Sequence, residues 1–116
     1  MTPAADLLQA AADKLDALLA DAYPLPWSEA PVRLIPHRGI YDAEDREIAT
    51  VYEETEVARV SALIVALGNA APALVGWLRF AARGVDADTV QHGADFAERW
   101  ADEALTVARA ILGGES

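Results

Sequence analysis

From Val60 to Leu78 the chain carries no charged side chain, and Arg59 and Arg79 bracket the run. Nothing else in the sequence restricts the fold as strongly. A stretch of about this length suits a bilayer span, and it equally suits a helix that is apolar on more than one side inside a protein. Gly68-Asn69-Ala70-Ala71-Pro72 interrupts it near the middle. An amide and a proline there are unfavourable in a single span, so the run reads as the central helix of a soluble domain, bent or interrupted near Pro72. A seven-residue repeat runs through it: Val57, Ile64, Ala71, Leu78 and Val85 in one series, Val60, Leu67, Leu74 and Ala81 in the other. The phase survives Pro72, because its ring crowds residue 68 and that residue is glycine. Val65, Trp77 and Phe80 fall off this stripe and form a candidate oligomer interface.

Helices are expected on both sides of this run. Thr2 is placed to cap the first, with Pro3 in the first helical position. Ala4, Leu8, Ala11, Leu15, Leu18 and Ala22 then alternate steps of four and three. The helix must stop before Pro24. Tyr23-Pro24-Leu25-Pro26-Trp27 follows as a polyproline-like corner that lays Trp27 across a helix face, or as an exposed Pro-rich ligand. The last helix is expected to begin at Asp86 or Asp88, to bury Val90, Ala94, Ala97, Ala101, Ala104, Ala108 and Ile111, and to end at Gly113-Gly114. Roughly a fifth of the residues are alanine, which favours closely spaced helices over a pocket lined by large side chains.

Between them, Val32-Arg33-Leu34-Ile35, Gly39–Asp42 and Glu47–Tyr52 are β-prone, with Ala43-Glu44-Asp45-Arg46 as a polar turn. The sequence thus predicts one domain over residues 1–116, mainly α with a small antiparallel β-hairpin or three-stranded meander (α+β). Its elements are helix 3–22, β structure over 32–52, a kinked or broken helix 56–83, and helix 87–112.

Charge and chemistry narrow the function classes. The net charge of −10 argues against direct binding to nucleic acid or to anionic membrane. Cysteine is absent, which removes thiolate chemistry and cysteine-held metals. The start, Met1-Thr2-Pro3-Ala4, has no basic region ahead of an apolar segment, so the cytoplasm is the expected compartment. Lys14 is the single lysine, a bias that suggests a GC-rich genome.

Glu53 and Glu56, with Glu98, Asp102 and Glu103, are similar to the magnesium-holding carboxylates of all-α nucleotide pyrophosphohydrolases. Glu98 to Asp102 is one residue too long for the second half of that pattern, and a solvated acidic surface is the competing reading. His92 and Asp95 at i,i+3 suit two metal ligands or a surface pair, and His37 lies in a turn. Ser28, Ser61 and Ser116 lie in no nucleophile motif. No cofactor or metal site is assigned. Asp6, Asp13, Asp95, Glu98 and Asp102 form a candidate acidic face, which either occupies a nucleic-acid-binding partner or serves solubility.

The order of motifs is informative. An Ala/Leu/Asp helix leads to the Tyr23-Pro24-Leu25-Pro26-Trp27 corner, then to a short β segment. An apolar helix with Asn69-Ala70-Ala71-Pro72-Ala73-Leu74 and Trp77-Leu78-Arg79 follows. This arrangement, over roughly residues 5–83, resembles the small Ead-like accessory proteins of phages and prophages. Tyr23 and Leu25 stand where that family's corner commonly has threonine and glycine. The resemblance implies phage origin and a non-catalytic role, with no catalytic residues to carry over. The expectation is therefore a non-catalytic accessory protein in the bacterial cytoplasm, acting by association with itself as a homo-oligomer and with a host or phage protein. The alternatives are an acidic decoy for a nucleic-acid-binding protein and a magnesium-dependent pyrophosphohydrolase.

Overall fold

A computed structural model describes residues 2–31, 37–52 and 58–113. Its elements run α1 (Pro3–Asp21), β1 (Ser28–Pro31), β2 (His37–Tyr41), β3 (Glu47–Tyr52), α2 (Ala58–His92), α3 (Ala94–Trp100) and α4 (Asp102–Ile111). The mainly-α, α+β class and the three-stranded antiparallel sheet match the expectation. The chain divides into two compact units, Met1–Ala20 with Pro72–Ser116, and Asp21–Ala71.

The first unit is helical. Thr2 caps α1 as expected: its hydroxyl accepts the Ala5 N–H at 3.1 Å and satisfies one orphan donor of the first turn. The core gathers Ala5, Leu8 and Ala12 of α1, Val75, Leu78, Ala82 and Val85 of α2, and Ala97, Ala104, Leu105 and Ala108 further on. Most of these are alanine, so the interior is filled by close approach of backbones rather than by bulk.

Two boundaries differ from the sequence reading. The expected break near Asp86 does not occur, and α2 continues to His92. Asp86 accepts the Thr2 N–H at 3.1 Å instead of opening a helix, and the Thr89 hydroxyl bonds back to the Val85 carbonyl at 2.7 Å. The chain turns only at Gly93, whose φ of 91° is open to glycine. The expected helix 87–112 is accordingly split into the last turns of α2, then α3 and α4. Across Ala101 the bonding barely lapses, since Leu105 N–H still reaches the Ala101 carbonyl at 2.9 Å.

The second unit is the corner, the sheet and the first part of α2. Strand order is β1-β2-β3, with Ser28 opposite Tyr41 and Ile40 opposite Ala49, and a bulge at Ile40/Tyr41. The first strand lies at Ser28–Pro31; the expected strand at 32–35 falls outside the described residues, as do residues 56 and 57 of the expected second helix. Asp42 builds the β2–β3 turn. Its buried carboxylate accepts the N–H groups of Glu44 and Arg46 at 2.9 and 3.0 Å and the Arg46 guanidinium at 2.8 Å. Asp45 takes the left-handed position at φ 61°, which a short polar side chain tolerates.

Each unit lays one tryptophan on one glycine of α2. A Cβ on Gly68 would lie 2.5 Å from the Trp27 ring, and one on Gly84 would lie 2.8 Å from the Trp100 ring; one on Gly76 would meet nothing. Alanine favours a helix interior over glycine by about 1 kcal/mol, while a forced contact costs roughly 1–3 kcal/mol. In urea unfolding, Gly76→Ala should therefore raise stability by up to about 1 kcal/mol. Gly68→Ala and Gly84→Ala should lower it and red-shift tryptophan emission.

Candidate interaction site

The Trp27 corner explains the polar interruption of the apolar run. Trp27 N–H donates to Asn69 Oδ1 at 2.7 Å, and Asn69 Nδ2 donates to the Trp27 carbonyl at 3.0 Å. One side-chain amide thus pairs with one backbone residue in both directions, as a neighbouring strand would. The indole Nε1–H donates to the Tyr23 carbonyl at 3.1 Å, and the ring rests on Gly68. In place of the expected polyproline-like run, the Leu25–Pro26 peptide bond is cis. Tyr23 is steadied in turn by Arg46, whose guanidinium lies 5.6 Å from its ring centroid.

Glu29 of β1 anchors the same part of α2. Its carboxylate accepts the Ser61 hydroxyl and the Arg38 guanidinium, the latter at 3.4 Å. The face of α2 used within this unit therefore carries small residues at its contact points: Ser61 is buried and Gly68 is half-buried, with Val65 half-buried between them. The large side chains stand elsewhere. Val60, Leu63, Ile64 and Leu67 are exposed at 43%, 58%, 39% and 63%. Their i, i+3, i+4, i+7 spacing makes one continuous apolar strip. The heptad series puts Val60, Ile64 and Leu67 on one stripe with Ala71, Leu78, Ala81 and Val85, and a shared stripe implies shared burial. That burial holds at Ala71, Leu78, Ala81 and Val85 but not at these three. The signal available in the sequence was the smallness of Ser61 and Gly68, which marks where another segment approaches.

The candidate interface residues are divided between the units. Val65 belongs to residues 21–71 and is half-buried. Trp77 and Phe80 belong to the other unit and are exposed, at 42% and 66%.

The candidate acidic face is only partly gathered. Asp95, Glu98 and Asp102 line one shallow depression, which also contains Arg99. Asp13 is paired: Arg79 bridges it at 3.4 Å and Asp16 at 3.2 Å, and these hydrogen bonds, Asp16 first, raise the Arg79 pKa above its ordinary value. Asp6 lies exposed in the first turn of α1. His92 and Asp95 do not share a helix, because Gly93 separates them; the His92 ring lies against Phe96 at 5.0 Å. Glu53 and Glu56 lie outside the described residues. Among the described residues no three His, Asp or Glu side chains group as metal ligands.

Comparison with known protein families, with curated proteins and with solved structures finds no match.

Burial pushes the Asp42 carboxyl up, but the Arg46 N–H, the Arg46 guanidinium and the Glu44 N–H outweigh it and hold it below its ordinary value. A carboxyl lowered by folding contributes stability that is complete above the unfolded value of about 4 and is lost as pH falls through the folded value. Stability measured from pH 6 downward should fall in that acid window, and Asp42→Asn should flatten this part of the profile while lowering stability at pH 6.

Proposed function

We propose that this chain works by protein–protein association, foremost with a second copy of itself, through the exposed apolar strip of α2. The observation that carries the reading is the exposure of Val60, Leu63, Ile64 and Leu67 on a run with no charge. Full burial of such a side chain is worth about 2 kcal/mol, so covering these half-exposed ones gains about 1 kcal/mol each. Across two copies this is about 8 kcal/mol, the favourable term on which the association would rest. A second copy suits the strip for an electrostatic reason as well: two chains of net charge −10 repel least where neither presents a charge. A twofold pairing would place the same side chains on both sides of the contact.

The resemblance to Ead-like proteins supports a phage or prophage origin and a non-catalytic role in the host cytoplasm. A host or phage protein would then be the further partner of the assembled form.

One observation favours a bilayer instead: Val60–His92 has a window of mean hydropathy 1.7, of which 17% is buried. The Ser61–Glu29 contact weighs against it, because it ties a carboxylate to the same stretch, and a carboxylate is costly at membrane depth. Sedimentation velocity over a dilution series should show reversible self-association, and Leu63→Glu with Leu67→Glu should shift it at least about tenfold toward monomer. A wild-type protein that stays monomeric and floats with neutral lipid vesicles would replace this reading with the bilayer.

A further inference from the structure

We propose that residues 21–71 also form a binding pocket for a small aromatic amine, which borders the self-association strip at Ile64. A cavity of about 360 Å³ lies among Tyr23, Trp27, Ile40, Ile48 and Ile64, with Asp21 at its lining. This volume is in the range of small-ligand pockets, here open to solvent on one side, and the walls are of the kind such sites use, apolar and aromatic with few polar groups.

The pocket is built rather than incidental. Trp27 is held at three points, by its N–H and carbonyl on Asn69 and by its indole N–H on the Tyr23 carbonyl. Tyr23 is steadied by Arg46, and Arg46 is fixed by Asp42 at 2.8 Å. Ile40 is buried within β2, and its pairing with Ala49 sets the floor between two strands. A ligand would therefore meet walls that are already ordered, which lowers the entropy lost on binding.

Charge selects the ligand class. Asp21 is the one charged side chain among the described lining residues, and it ends a helix with no basic residue in its last turn. The nearby cation, Arg46, is committed to Asp42 and Glu44 at 2.8 and 3.1 Å. With a net charge of −10, the chain disfavours an aromatic carboxylate and favours an aromatic ammonium, whose ring fills the cavity while its charge faces Asp21. Asp21 is exposed, so its contribution is modest.

Titration calorimetry with 2-naphthylmethylammonium, 2-naphthylmethanol and 2-naphthoate tests this directly. The expected order of affinity is ammonium, alcohol, carboxylate, with roughly threefold between the first two. Asp21→Asn, an exposed change that leaves the fold intact, should abolish that advantage without weakening the alcohol. Ala49→Phe should fill the cavity and weaken all three probes by about tenfold. Leu67→Glu should alter self-association and leave binding unchanged. Naphthoate binding as tightly as the ammonium, an Asp21→Asn variant with the full preference, or no heat from any probe would overturn the proposal.

Discussion

Asn69 clamps the backbone of Trp27 from both sides while Gly68 receives its ring, and the second unit is organised around that contact. An apolar helix has no means of its own to specify where a proline-containing corner must stop. One amide and one missing side chain supply it. The amide satisfies a donor and an acceptor that the corner leaves unpaired, and the glycine lets the indole approach the helix backbone. From there the chain enters β1, Glu29 reaches Ser61, and the sheet is set against the same small face of α2.

That arrangement has a consequence for the other faces of the helix. Because Ser61 and Gly68 face the sheet and corner, Val60, Leu63 and Leu67 are left outside, and Ile64 stands partly exposed at the edge of the pocket beside Tyr23 and Trp27. Large apolar residues thus stand exposed on a run cleared of charge, and it is this patch that the proposed association would cover. The first unit uses α2 differently. There Leu78, Ala82 and Val85 are fully buried against α1 and the C-terminal helices, and alanine sets the spacing.

Much of this was legible in the sequence, for identifiable reasons. The Thr2 cap, the halt of α1 ahead of Pro24 and the polar turn at Ala43–Arg46 rest on local backbone chemistry, and all are present. The helix continues through Pro72, since α2 is a single helix with that proline inside it. Long-range contacts were not legible. Asp86 or Asp88 reads as a helix start because nothing local shows that the Thr2 N–H will occupy Asp86. From Val60 to Leu67 the heptad stripe is exposed, because periodicity reports which residues are apolar, not which of two faces is covered. Asn69 was visible as an interruption, while its partner lies 42 residues away.

The central claim is that a second copy covers the strip of α2. The chain contains no cysteine, so Ala66→Cys would carry a single nitroxide label beside Leu63 and Leu67. Paired helices approach to about 8–10 Å between axes. Dipolar spectroscopy should therefore give a short intermolecular distance for this label and none for a label at Asp45, on the β2–β3 turn. An absence of intermolecular coupling at residue 66, at a concentration where the protein sediments as an oligomer, would contradict it.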